Sequence, residues 1–406
     1  MGQLSAVDLD RNDPLAAFRE RFVVADPALV YLDGNSLGRL PKETLQRMDE
    51  TIRGQWGDRL VRGWSENWRA LPRRVGSKIA RVIGAREDEV VACDSTSVNL
   101  FKLATGALRC QGKPKVVTDA GNFPSDLYLI QGLGATVETV PEDDEDAAVA
   151  ALDSETALLI LSHVAFRSGF RYDMERLTTE AHRVGAMVLW DLSHSAGAVP
   201  MRVSDWGVDL AVGCTYKYLN GGPGSVAYLF VRQDLQTRLE SPIWGWFGHR
   251  DAFAFSPRYQ PAEGIDRFLA GTPPILSLAA VEPGVDILLE AGMGRIRAKS
   301  VAQTEFLIER ADRQLASRGF SLATPREASR RGSHVSLKHP EAWRISQALI
   351  SEFGVIPDFR SPDILRLGVA PLYNTFRELE QAVDAIVRVV DEERYTRHDP
   401  ARYDVT

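Results

Sequence analysis

From about residue 86 the chain alternates short apolar runs with helical patterns, and this alternation restricts the possible folds more than any single residue does. Glu89–Cys93, Pro114–Thr118, Ala135–Val140, Ala157–Ser162 and Ala186–Trp190 read as strands, and Asp209–Gly213 and Ser225–Val231 continue the series. Ser125–Gly132 and Asp173–Val184 carry helical patterns between them. Strands joined through helices run parallel and are covered by helix on both faces. The pattern therefore predicts an α/β fold with a mainly parallel sheet.

Near Ile275 the texture changes to long amphipathic stretches, Ser277–Leu289 and Arg295–Ser317. An exposed basic stretch is expected over Pro325–Arg331, followed by strand His334–Leu337, helix Glu341–Phe353, strand Ile364–Leu367 and helix Thr375–Glu393. The 406 residues, 44% of them hydrophobic, suffice for two domains. A large domain is expected over 50–290, with 1–49 and 291–406 forming a smaller α+β domain.

A net charge of −7 argues against a nucleic-acid partner, which calls for a basic patch or stripe. Cys93, Cys110 and Cys214 have no metal-type spacing and are too few for a disulfide framework, so no metal and a reducing cytoplasm are expected. Met1–Asp8 lacks the features of a signal peptide. Gly2 invites a myristoylation reading that Ala6 disfavours. No apolar run approaches a membrane span, and a soluble protein without a membrane partner is expected.

Lys217 lies between the strand pattern Asp209–Gly213 and the turn Gly221–Gly224. That setting desolvates an amine and lowers its pKa, which suits a lysine that bonds an aldehyde. Asp191 ends another apolar run, where an open α/β sheet binds ligands; a helix N-cap would also place an Asp there. A carboxylate at one strand end and a lysine at another match the way enzymes hold pyridoxal 5′-phosphate, whose ring nitrogen takes the acid. Gly221–Gly224 lacks the spacing of a nucleotide loop, leaving backbone room for a cofactor as its reading.

Thr96 and Ser97 follow a strand and open a helix pattern, suited either to binding an anion or to capping. Arg366 is a charge inside an apolar strand, where a buried guanidinium needs an anion: a ligand carboxylate or a structural partner.

These residues belong to longer motifs: Leu32–Gly38, Phe123–Asp126, Asp191–Gly197, Thr215–Gly224, Gly245–His249 and Gly271–Pro274. Over nearly the whole chain they resemble the kynureninases, a family of aspartate-aminotransferase-like (fold type I) pyridoxal phosphate enzymes. The resemblance implies a large domain with a seven-stranded-type sheet and a smaller C-terminal α+β domain. It also implies a cytoplasmic homodimer with active sites at the subunit interface. The implied reaction is hydrolytic cleavage of L-kynurenine, and of 3-hydroxykynurenine, to anthranilate or 3-hydroxyanthranilate and L-alanine, in tryptophan catabolism by the kynurenine pathway and in NAD biosynthesis.

By resemblance Lys217, Tyr216 and Asp191 are catalytic, with Tyr216 also beside the phosphate. Thr96 and Ser97 hold the phosphate, and Phe123, Pro124, Ser125 and Asp126 surround the ring, with Phe123 stacked on it unless it is an ordinary core aromatic. Ser162 contacts the ring oxygen or a nearby group. His194, on a first helical turn, orients Asp191 or donates toward the phosphate. Trp246 and Thr272 reach the phosphate from the neighbouring subunit. Arg366 takes the substrate carboxylate, while Asn35 and Trp64 line the substrate pocket.

Two alternatives are a related lyase acting on cysteine or selenocysteine and a non-catalytic pyridoxal phosphate-binding protein. The first needs a cysteine in the late loop at Pro325–Arg331, where none stands. The second sits poorly with Asp191, Tyr216, Lys217 and Arg366 all being present.

Overall fold

A computed structural model describes residues 5–401, so the Gly2 reading lies outside the described residues. Strand β1 (Val30–Tyr31) comes first in the chain and joins a minor sheet. The main sheet contains β2 (Val90–Ala92), β3 (Lys115–Asp119), β4 (Thr136–Val140), β5 (Thr156–Ser162), β6 (Met187–Asp191), β7 (Leu210–Gly213) and β8 (Tyr228–Val231). Their order is β2-β8-β7-β6-β5-β3-β4, parallel from β4 to β7, with β8 antiparallel to both its neighbours. Each of the seven expected strands is present, with boundaries moved by up to three residues.

Successive strand side chains point to opposite faces. Leu159 and Leu161 of β5 join one apolar core with Val188 and Trp190 of β6, while Leu158 and Ile160 join a second core with Met187 and Leu189. All seven residues of β5 are therefore buried. Full burial of a side chain such as Leu or Ile is worth about 1.5–3 kcal/mol. Helices pack over both faces and leave the carboxyl ends of β5, β6 and β7 as the place where polar groups can gather.

The second sheet is antiparallel: β9 (Ser321–Leu322), β10 (His334–Lys338), β12 (Asp358–Arg360) and β13 (Ile364–Gly368), in the order β12-β13-β10-β9. Strand β11 (Val355–Ile356) pairs in parallel with β1. Helices Met293–Gln314, Ala342–Phe353 and Phe376–Asp391 cover this sheet through a core of Leu307, Leu349, Leu365 and Ile386. The N-terminal segment contributes to both halves, since Leu15 and Phe22 pack in a main-sheet core and Val30 and Leu32 in the other.

Three expectations need correction. Helix Ile275–Ala291, expected to be amphipathic over Ser277–Leu289, is buried on more than one face: Leu278, Val281, Val285, Ile287 and Leu288 are all buried, because the helix packs against both Leu71–Ile83 and Lys42–Asp49. Arg331 is not part of an exposed basic stretch, since its side chain is fully buried and donates to Thr304, Glu305 and the Arg326 carbonyl. His194 lies in a run of turns rather than on a helix, and Asp191 Oδ1 accepts from Ser193 N (2.8 Å) in a local Asx turn. Among the described residues no helix is long and apolar enough to cross a membrane.

Candidate active site

The parallel ladder sets Ser162 opposite Asp191 and Asp191 opposite Val212, so the ends of β5, β6 and β7 open on one place. A cleft of about 210 Å3 lies there. Thr96, Ser97, Phe123, Ser125, Asp126, Asp191, His194, Tyr216 and Lys217, all named from sequence, line it together. Ser95, Ser193 and Ser225 line it too and were not singled out, because isolated serines carry no pattern in a sequence.

The local structure settles two questions of capping. The N-cap of helix Thr96–Gln111 is Ser95, whose hydroxyl accepts from Val98 N at 3.4 Å. Thr96 and Ser97 thus occupy the first turn and face the cleft, where free backbone N–H groups and the helix dipole favour an anion. Pro124 starts helix Pro124–Gly132, where its missing N–H costs nothing. Asn122, also missed from sequence, accepts from Phe123 N (2.8 Å) and from the Ser162 hydroxyl (2.8 Å), tying two cleft loops together.

Lys217 is 9% exposed, and its Nζ lies 3.2 Å from His194 Nε2 and 5.8 Å from the Phe123 ring centre. Burial lowers its pKa, against the opposing pull of Cys214 and Asp191. Burial also raises Asp191, with Lys217 and the Ser193 contacts drawing it back. Asp126 is driven well above the ordinary carboxylate range by burial and by Asp191, and its Oδ2 has no partner. His194 is held well below the usual imidazole range by burial and by Lys217. Cys214, then burial, raise the Tyr216 phenol, which stays protonated at neutral pH.

The donor set fits an anionic aromatic aldehyde: an amine able to be neutral, a carboxylate and an aromatic ring in the same cleft, and hydroxyls at a helix start. Asp126 Oδ2 supplies an orphaned buried oxygen that such a group would satisfy.

The loop Asp33–Gly38 closes a neighbouring wall. Gly38 N donates to the Tyr216 carbonyl (2.7 Å), and a Cβ on Gly38 would stand 2.3 Å from the Lys217 carbonyl oxygen. Asn35, turned with its amide oxygen toward Arg366, accepts from Nε at 2.8 Å and from Nη2 at 3.0 Å. Arg366 is fully buried and is also bonded to Asp358, Ser36 and the Phe166 carbonyl. A structural partner for Arg366, one of the two options left open by the sequence, is therefore present.

Trp64, Trp246 and Thr272 do not line this cleft. Trp64 packs on Trp68, Trp246 and Phe247, Trp246 also meets Phe253 and Phe255, and Thr272 is exposed. A larger groove of about 590 Å3 between helices Ala6–Arg11 and Met293–Gln314 holds none of the expected site residues.

Comparison with known proteins agrees with this geometry. Residues 296–386 match the kynureninase C-terminal domain model. The kynureninase of Pseudomonas fluorescens is 45% identical over 401 residues, covering 96% of this chain and 95% of its own. That of Burkholderia mallei (strain SAVP1) is 45% identical over 401 residues, covering 96% of each. Among solved structures, an apo cysteine desulfurase from Thermococcus onnurineus NA1 matches with a TM-score of 0.76 at 22% identity, over 97% of this chain and all of that one. A C-DES variant with glycine covalently linked to its PLP cofactor matches with a TM-score of 0.79 at 18% identity, over 91% and 98%. These structural likenesses show the fold, that of fold type I enzymes. With full-length relatives at 45% identity and the C-terminal domain model matched, the chain belongs to the kynureninase family.

Proposed function

We propose that the chain is a pyridoxal 5′-phosphate-dependent hydrolase that cleaves L-kynurenine, and by the same chemistry 3-hydroxykynurenine, to anthranilate or 3-hydroxyanthranilate and L-alanine. One observation carries the reading: a buried lysine and a buried aspartate line one cleft, in a chain of the kynureninase family. When bound, the cofactor supplies an aldehyde for the substrate amine and a ring that stores the electron pair released at Cα.

The chain's own groups then have distinct tasks. Thr96, Ser97 and the helix start hold the phosphate, with Tyr216 nearby. Asp191 keeps the ring nitrogen protonated, steadied by its bond from Ser193 N. Phe123 would stack on the ring, Ser125, Asp126 and Ser162 would stand near it, and His194 lies beside Lys217. Lys217 would take the Cα proton, because its lowered pKa makes a neutral amine accessible. Tyr216, whose phenol is protonated at neutral pH, would serve as proton donor when the β,γ bond breaks. Arg366 takes the substrate carboxylate, and Asn35 orients its guanidinium.

The same reading includes a homodimer. Trp56, Leu60, Val61, Phe255 and Leu276 leave an exposed apolar surface around Trp64 and Trp246, larger than scattered surface residues make. A second copy covering that surface would carry Trp64, Trp246 and Thr272 toward its partner's cleft. The direct test is to incubate purified holoenzyme with L-kynurenine and follow anthranilate fluorescence with L-alanine as co-product. Absence of both products refutes the assignment.

A further inference from the structure

All three guanidinium nitrogens of Arg366 are engaged before any substrate arrives. A guanidinium offers five N–H donors on three nitrogens. Here Nε meets Asn35, Nη1 meets the Phe166 carbonyl, and Nη2 meets Asp358, Ser36 (3.1 Å) and Asn35. The Asp358 carboxylate, 1% exposed at its side chain, thus holds Nη2, one arm of the fork on which an incoming carboxylate would dock. Strand register delivers it there, since Asp358 stands directly opposite Arg366 across the antiparallel β12–β13 pair.

A second guanidinium holds the same oxygen. Arg360 follows Asp358 by two residues on β12, a spacing that puts both side chains on one face. Its Nη2 lies 2.8 Å from Asp358 Oδ2 and 3.3 Å from the Ser36 hydroxyl, and its Nε is buried without a partner. Two cations therefore share one full carboxylate. Asp33, the other acid nearby, is pushed up to about 7 by burial and by Asp358, so near neutrality it carries only part of a charge. Both guanidiniums also lower the pKa of Lys217, which places Arg360 within electrostatic reach of the reacting amine. Moving Arg366 off Asp358 would strand a buried carboxylate, a costly state unless another cation remains on it.

We propose that Asp358 is a resident carboxylate that keeps Arg366 oriented in the resting enzyme, and that Arg360 is the positioning residue that retains Asp358 when Arg366 turns its fork to the substrate carboxylate. The exchange gives up one guanidinium–carboxylate contact and makes another, with no net loss of charge pairing. It rests on the reading that Arg366 binds the substrate carboxylate.

The test combines steady-state kinetics of the holoenzyme on L-kynurenine with calorimetric titration by L-alanine and by alaninamide, which lacks the carboxylate. Arg360→Gln leaves Asp358 locked on Arg366 and is expected to raise KM about tenfold or more while changing kcat less than about threefold. It should weaken L-alanine binding about as much and leave alaninamide binding unchanged. Adding Asp358→Asn removes the competing charge and should bring KM back to within about threefold of the parent. Unchanged KM in Arg360→Gln, equal losses for alanine and alaninamide, or no recovery in the double variant would each overturn the proposal. Where Arg360→Gln yields no folded holoenzyme, Asp358→Asn alone decides: alanine binding should tighten by about threefold or more, and unchanged or weaker binding counts against the hand-over. Arg366→Lys separates the two layers. A KM unchanged in that variant refutes carboxylate docking at Arg366, whereas a raised KM there with none in Arg360→Gln refutes the hand-over alone.

Discussion

The fold shifts the ionisation of Asp191 and Tyr216, so substitutions that keep shape and change polarity test their proposed roles most directly. Asp191→Asn removes the counter-charge of the ring nitrogen while preserving the Asx geometry to Ser193 N. Breaking a buried ion pair costs roughly 3–5 kcal/mol, and each 1.36 kcal/mol is tenfold in rate. Turnover is expected to fall by about two to four orders of magnitude in a protein of unchanged circular dichroism. Near-parental turnover would mean that another group protonates the ring. At Tyr216 two roles compete, phosphate ligand and proton donor. General acid–base help is worth about 10²–10⁴-fold, whereas a lost neutral hydrogen bond costs roughly 0.5–1.5 kcal/mol. Tyr216→Phe is expected to keep the cofactor and release anthranilate at least about a hundredfold more slowly in single turnovers. Normal release with weakened cofactor affinity would leave Tyr216 with the phosphate alone.

At the scale of elements, the site depends on one loop lying flat against another. Gly38 N donates to the Tyr216 carbonyl, and no Cβ fits there because the Lys217 carbonyl occupies its place. Gly38→Ala has to push Asp33–Gly38 off the Lys217 turn, moving Asn35 and Ser36 away from Arg366 with it. Overpacking of this kind costs about 1–3 kcal/mol. A lower midpoint of denaturant unfolding and a raised KM are expected together. A KM raised with stability unchanged would show that the loop yields without strain. The strands themselves were readable as alternating runs, but β9 and β12 were not, because two or three residues cannot display a period. Asp358 and Arg360 lie on β12, and their importance went unseen for that reason.

Across the whole molecule, burial of histidines ties stability to pH. Burial first, then Arg171 and Arg297, hold the His163 imidazole down at about 3, and His194 and His334 are lowered as well. Below the ordinary value of 6.5 the unfolded chain binds a proton that the folded chain refuses. Stability is therefore lost as pH falls from 6.5 toward 3, by up to ~1.4 kcal/mol per pH unit for His163, and His194 and His334 act in the same direction. Asp119 and Asp143, raised to about 6 by burial, tilt the other way over the range up to that pH. His163→Gln isolates one share: unfolding at about pH 5.5 and 7.5 should differ less in the variant than in the parent. An undiminished difference would show that His163 ionises within the fold. A second prediction concerns assembly. Val61, 75% exposed beside Trp64, is expected to lie between subunits, so Val61→Glu should shift sedimentation toward a monomer and weaken cofactor binding. A variant that remains dimeric would move the interface elsewhere.

The alternation of apolar runs determined the main sheet, because burial of both faces writes itself into consecutive residues such as those of β5. Lys217, Asp191, Thr96 and Ser97 were legible for the same reason: each is a polar residue at the point where such a run stops, and in an open α/β sheet those points converge. What only the tertiary structure decided are contacts that no pattern in the sequence pairs. Ser162 on Asn122, Gly38 on the Lys217 turn, and Asp358 between Arg360 and Arg366 depend on strand register and loop packing. Register is set by pairing partners, and a one-residue slip turns every side chain to the other face. Asp358 facing Arg366 is thus a property of β12 lying against β13, which no run of residues around either one encodes.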